Sequence, residues 1–377
     1  TYFYPNTFAQ NSIYPQQICP IHSSGAVASL TCTCDNTFAP DAAGTKCVCP
    51  PGTQLNAAGS ACVEQFTLTL TAPTTIQPSM HWNQKNKHPL FVATNGYELK
   101  KATITATVLN SLNNQPKAGV TVSLSVAADV GSGGHIHISN RPNGVLYTTT
   151  PPAWACIDAA PPAGCPGAVA TATTNAAGVA TFTFTAPEAA GKHIFTAKCT
   201  SLICDGGTPK TAPLNVMMGD YQLLPSSPFY TITNSAGDIA GGTAGHTENH
   251  YATGNASALL NKLGEIYFKE INPGNKLYIN DASLPWGGLM DVNDDWKTPH
   301  ADHRWGNAVD IRANGTNPDP EGEIPFGKFR TVMQKWNERT GVGAEIHCYG
   351  KEYTIAKAAN PNLCDGIKLG RHFHVKF

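Results

Sequence analysis

Apolar and polar residues alternate with a period of two over four stretches. These are Phe66-Thr-Leu-Thr-Leu-Thr, Ala102-Thr-Ile-Thr-Ala-Thr-Val, Val120-Thr-Val-Ser-Leu-Ser-Val and Val179-Ala-Thr-Phe-Thr-Phe-Thr. Residues two apart lie on one strand face, so each stretch predicts a strand with one buried face. Asn113-Asn114, Asn175-Ala-Ala-Gly178 and Ala190-Gly191 punctuate them as turns. Several such strands without helices predict an all-β sandwich over residues 64–217. Cys156 to Cys165, rich in Pro and Ala, reads as a stapled loop between strands.

The pattern changes at about residue 218. Ala256-Ser-Ala-Leu-Leu-Asn-Lys-Leu-Gly-Glu-Ile-Tyr-Phe is apolar at helical spacing. Phe326 to Thr340 also predicts a helix, with Phe329, Val332, Met333 and Trp336 on one face. Short strand patterns surround them at Lys276–Asn280, Asn307–Ile311, Gly343–His347 and Arg371–Phe377. Residues 218–377 are therefore expected to form an α+β domain with an antiparallel sheet, its last strand at the C-terminus.

Residues 1–63 are different again. Cys34-Asp-Asn-Thr-Phe…Gly44-Thr-Lys-Cys47 is echoed by Cys49-Pro-Pro-Gly-Thr…Gly59-Ser-Ala-Cys62, a repeat of 15 residues. A Cys, a turn-rich middle and a closing Cys suit a hairpin stapled across its open end. The 12 cysteines are even in number and locally clustered: Cys19, Cys32, Cys34, Cys47, Cys49, Cys62, then Cys156 with Cys165, Cys199 with Cys204, and Cys348 with Cys364. Zinc knuckles usually show Cys-x2-Cys, whereas the close pairs here are Cys-x-Cys, so disulfides formed in an oxidising compartment are the expectation. The simplest pairing in the first module is sequential, Cys19–Cys32, Cys34–Cys47 and Cys49–Cys62, although six cysteines allow about 15 connectivities. The segment also resembles fragments of epidermal-growth-factor-like modules, whose scheme shares only Cys49–Cys62 with the sequential one.

Composition narrows the function classes. Charged residues are only 14% and the net charge is −1, so there is no basic field for nucleic acid or an anionic membrane. No stretch approaches the ~18 apolar residues of a membrane-spanning helix. The chain begins at Thr1 and is expected to be a processed or trimmed form, secreted, at the cell surface or in a periplasm.

Candidate chemistry concentrates near the C-terminus, in Pro299-His300-Ala-Asp-His303-Arg-Trp-Gly-Asn-Ala-Val-Asp310-Ile and Arg371-His372-Phe-His374-Val. His372 and His374 are two apart on a predicted strand and share a face. Val309 and Ile311 are expected in the core, leaving Asp310 on the opposite side. A buried carboxylate is costly unless paired or bound to metal. Two imidazoles and a carboxylate make a reasonable set of ligands for Zn²⁺, with a fourth position left to water. Other clusters carry less. Gly133-Gly134-His135-Ile-His137 has no evident carboxylate. His246 and His250 are spaced for one helical face and read first as a polar helix start. Asp291, Asp294 and Asp295 lack the Gly and closing Glu of a calcium loop.

His-x6-Asp followed by a distant His-x-His resembles the zinc peptidase superfamily of D-Ala-D-Ala carboxypeptidases, D-Ala-D-Ala dipeptidases and penicillin-insensitive murein endopeptidases. His300 before His303, and the Gly-rich Ser283-Leu-Pro-Trp-Gly-Gly288, make the last branch the most similar, over roughly residues 240–377. The resemblance implies a zinc site of His303, Asp310 and His374, with His300 lining it and His372 beside the metal as a candidate base. Arg371 stands where the dipeptidase branch has its basic Glu, and a guanidinium takes no proton at neutral pH. His372 is then the leading base, with Glu345 and His347 as runners-up. Lys117-Ala-Gly-Val-Thr-Val-Ser-Leu, Thr174-Asn-Ala-Ala-Gly-Val-Ala-Thr-Phe and Gly191-Lys-His-Ile-Phe-Thr-Ala resemble bacterial immunoglobulin-like domains. The expectation is a three-domain, disulfide-bonded zinc metallopeptidase acting on peptidoglycan peptides. Its rival is a structural or adhesive surface or filament protein, self-associating through its first two domains, that binds metal or wall peptide without turnover.

Overall fold

The computed structural model describes residues 23–24, 33–34, 37–42, 46–56, 58–81, 97–129, 131, 134, 141–149, 167–232, 248–290, 303–312, 326–341, 345–350, 356–357 and 369–377. Side chains of residues 345–350, 371 and 372 are not among the described features. The chain is mostly β-sheet with few helices.

Nine strands build the middle of the chain: β1 (Phe66–Thr71), β2 (Thr75–Ile76), β3 (Lys101–Asn110), β4 (Thr121–Ala128), β5 (Val145–Tyr147), β6 (Val169–Thr173), β7 (Val179–Thr185), β8 (Gly191–Cys199) and β9 (Lys210–Val216). They form two sheets, ordered β5-β7-β3-β1 and β6-β4-β8-β9-β2. The alternation decides the packing. Ile104, Ala106 and Val108 of β3 and Phe182 and Phe184 of β7 face Val122 and Leu124 of β4, Phe195 of β8 and Leu214 of β9 in one core. Phe184 and Phe195 meet edge to face across it, with ring centroids 5.1 Å apart.

Ahead of the sandwich, short hairpins at 39–40/47–48 and 53–55/62–64 carry the cysteine repeat. Cys34–Cys47 and Cys49–Cys62 staple them, each closing a separation of 13 residues, and Cys199–Cys204 closes the end of β8. The sequential pairing is thus the one adopted for these four cysteines. Cys19, Cys32, Cys156, Cys165 and Cys364 lie outside the described residues, as does the side chain of Cys348.

The C-terminal part holds a six-stranded sheet of β10 (Tyr230–Ile232), β11 (Leu277–Asp281), β12 (Ala308–Arg312), β13 (Glu345–Gly350), β14 (Ala356–Lys357) and β15 (Leu369–Lys376). Its order is β10-β11-β12-β15-β13-β14. The expected antiparallel sheet needs one correction, because β10 joins β11 in parallel. One face is covered by α1 (Gly254–Ile266) and α2 (Phe326–Thr340). Thr253 caps α1 by accepting from the Ala256 N–H at 3.2 Å, and Ala256, Leu260, Leu263 and Ile266 face inward. α2 buries Phe329, Val332, Met333 and Trp336, and Phe329 stacks on Phe373 of β15 at 4.0 Å. This helix-covered face is closed by Val309, Ile311, Phe373 and Val375. By the pleat, Asp310 and His374 must lie on the other face.

Candidate metal centre

The central register builds the site. β12 and β15 run antiparallel with Asp310 opposite His374, Ile311 opposite Phe373 and Arg312 opposite His372. His374 Nδ1 lies 2.7 Å from Asp310 Oδ1. The third member arrives from a short turn, His303–Trp305, which leads into β12. Gly306 closes that turn, its N–H bonding the His303 carbonyl at 3.2 Å. Only glycine suits position 306, for two reasons. Its φ is +64°, and a Cβ there would sit 2.5 Å from the Tyr221 ring. Folded back in this way, His303 brings Nε2 to 3.2 Å from Asp310 Oδ1. The two imidazoles stand edge to face at 4.8 Å, an interplanar angle of 77°.

All three side chains are buried: His303 and Asp310 are 0% exposed and His374 3%. Their donor atoms lie within 4.8 Å of one another. Tetrahedral zinc, with bonds of about 2.0–2.1 Å, spaces its ligand atoms by roughly 3.3 Å. The 3.2 Å contact from His303 Nε2 to Asp310 Oδ1 is close to that spacing, the 2.7 Å contact from His374 Nδ1 is a direct hydrogen-bond distance, and the donor set of two nitrogens and one oxygen suits the ion. The group could hold a metal ion, and nothing in the geometry identifies which.

A β-bulge brings another carboxylate to the strand position opposite Asp310. In β11, Ile279 pairs with Ile311, yet Asp281 pairs with Asp310, so β11 spends one residue more than β12. Without the extra residue, Asp281 would stand opposite Val309 and face the helices. The bulge re-aims it to the site face instead. The group whose donor atoms converge remains His303, Asp310 and His374, and Asp281 is not part of it. Asn249 donates its Nδ2 to Asp281 Oδ1, and the His250 ring lies 2.9 Å from the carbonyl of Asn280 in the bulge. The His246–His250 reading is corrected here. Asn249 and His250 precede a strand, Tyr251–Thr253, and among the described residues from 248 onward the first helix begins at Gly254. Their polar atoms hold the bulge, and His246 lies outside the described residues.

Arg304, beside His303, is 1% exposed, and its Nη1 donates to Glu188 Oε1 at 2.6 Å. Its carbonyl accepts from the Tyr221 hydroxyl at 2.8 Å. Burial pushes that hydroxyl above the ordinary tyrosine range.

Of the residues singled out from sequence, His303, Asp310 and His374 come together. The backbones of His372, Glu345 and His347 lie in central strands, opposite Arg312, Lys376 and His374 respectively. His300, His135, His137 and Asp291 to Asp295 lie outside the described residues. Asp281, Asn249, Glu188 and Tyr221 were not anticipated. The one available signal was the polar pair Asn280-Asp281 ending an apolar strand pattern. No protein-family model matches the chain, and no curated protein matches it either.

Proposed function

We propose that the chain is a zinc-dependent peptidase acting on amide bonds of peptidoglycan peptides outside the cytoplasm. The observation that carries the reading is the buried convergence of His303, Asp310 and His374 on one focus. Zinc held there would polarise a substrate carbonyl and lower the pKa of a bound water toward ~7. The chain's own residues do the rest. Asp310 supplies the negative charge and His303 and His374 the neutral donors. His372, two residue pairs along from the Asp310–His374 rung, is assigned to take and return the proton. Glu345 and His300 are the further site residues of this reading. Three disulfides among the described residues, and no helix there long and apolar enough to cross a membrane, are compatible with an extracellular protein.

The test is zinc stoichiometry of the purified full chain, followed by release of muropeptides from purified cell wall by wild type and His303→Ala. About one zinc per chain, with release abolished in the variant, is expected. A chain that takes up no zinc, with release equal in both proteins, sinks the proposal.

Arg371 favours a second reading, a site that binds metal or wall peptide without turnover, because a guanidinium occupies the place of the expected base. That reading predicts zinc uptake and retention on peptidoglycan with no new amine termini released.

A further inference from the structure

The turn bearing His303 is gripped from the sandwich. The loop after β7 buries Ala186, Ala189 and Ala190 at 0% exposure and runs against Gly288. Ala189 and Gly288 form an antiparallel bridge, and the Leu289 N–H donates to the Glu188 carbonyl at 2.9 Å. Gly288 is needed at this approach, since a Cβ there would lie 2.7 Å from the Glu188 carbonyl oxygen. The Gly288 N–H in turn donates to the Arg304 carbonyl at 3.3 Å. Arg304 is therefore held at both ends. Its carbonyl accepts from Gly288 and Tyr221, and its guanidinium donates to the Glu188 carboxylate.

We propose that Glu188, a residue of the β-sandwich, is a positioning residue for the metal centre, setting His303 through the buried Arg304. A guanidinium out of water requires a carboxylate close by, and a charge-assisted hydrogen bond fixes its direction. Arg304 and His303 are adjacent in one short turn, so a guanidinium locked to Glu188 leaves His303 little freedom to rotate away from Asp310. Residues that orient metal ligands from behind typically change affinity by 10–100-fold when removed. On this view the sandwich is part of the site and not an appendage to it. The assignment rests on the metal-centre reading above.

The experiment uses the full chain, as wild type, Glu188→Gln and Glu188→Ala. Zinc affinity is measured by calorimetry, ligand geometry by the visible absorption of the Co²⁺-loaded protein, and local order by hydrogen exchange of the metal-free protein. Glu188→Gln keeps the shape and removes the charge. The expected result is a zinc affinity about 10–100-fold weaker, an altered cobalt spectrum, and faster exchange confined to residues 303–306. Affinity, spectrum and exchange all equal to wild type would overturn the assignment. So would exchange that rises throughout β3, β4, β7 and β8, because Glu188 would then merely stabilise the sandwich. If the wild type takes up neither zinc nor cobalt, the metal reading falls and exchange alone decides on Glu188: faster exchange limited to 303–306 supports it, and no change overturns it.

Discussion

Asp310 is the residue on which the site turns, because one of its oxygens faces both imidazoles. Replacing it with Asn keeps the volume and removes the charge. With zinc at 100 times its dissociation constant, binding adds about 2.7 kcal/mol to the stability of the wild type. We expect thermal unfolding of the wild type to shift upward with zinc and that of Asp310→Asn to stay where it is. A zinc-induced shift of equal size in both would remove Asp310 from the ligand set. The direction of Asp310 was legible in the sequence, since the pleat and its apolar flanks announce which way it points, whereas the grouping of His303, Asp310 and His374 was implied by the family resemblance and not by spacing alone. Asp281 was not legible in this way. Its direction depends on one inserted residue in β11, and alternation counted along a strand carries no information about a slip against the neighbouring strand.

At the scale of elements, alternation announced β1, β3, β4 and β7 of the sandwich and left β2, β5, β6, β8 and β9 unannounced. β6 lies at a sheet edge with exposed and half-exposed positions only, so its Val-Ala-Thr-Ala-Thr shows weak contrast. β9 contains Pro213, which argues against a central strand, yet β2 pairs with β9 only at Asn215 and Val216, leaving Pro213 on an open stretch. β8 hides a titratable group. His193 is 0% exposed, with ring nitrogens 3.1 Å from the Gly191 carbonyl and 3.2 Å from the Pro142 carbonyl. Burial pushes its pKa down to about 4. The unfolded chain, with a His pKa near ~6.5, binds the proton more readily than the folded one, so stability rises with pH between these values. The full contribution is present above about pH 6.5 and is lost as pH falls toward 4. Across that window the buried ring contributes about 3 kcal/mol. Denaturant midpoints across this range should fall more steeply for the wild type than for His193→Gln. Identical slopes would show that His193 titrates normally. The turn before β12 gives a second element-scale expectation. Gly306→Ala forces a side chain into the left-handed region and into the Tyr221 ring, at a cost of about 1–3 kcal/mol, and weakens zinc binding by displacing His303.

Across the whole molecule, β3 separates two devices. At its Asn110 end the side-chain amide donates to the Gly52 carbonyl at 2.6 Å, which docks the stapled hairpins. At its other end Lys101 pairs with Thr185, just ahead of the Glu188 loop that grips the His303 turn. Ten residues of strand put these ends about 30 Å apart. The hairpins have little core: Phe38 and Cys62 are buried, while Val48, Leu55 and Val63 are exposed. Their order must then come largely from the disulfides, and closing a loop of this length contributes about 3 kcal/mol. Replacing both Cys49 and Cys62 with Ser should make residues 46–64 open to proteolysis. The same replacement should leave zinc affinity within about twofold, because sites this far apart with no shared partners act independently. A large loss of zinc affinity would instead mean that strain at the Asn110 end travels along β3 to the Glu188 loop. The sandwich would then be a lever between the hairpins and the metal centre, and cleavage or reduction of the hairpins would regulate the site.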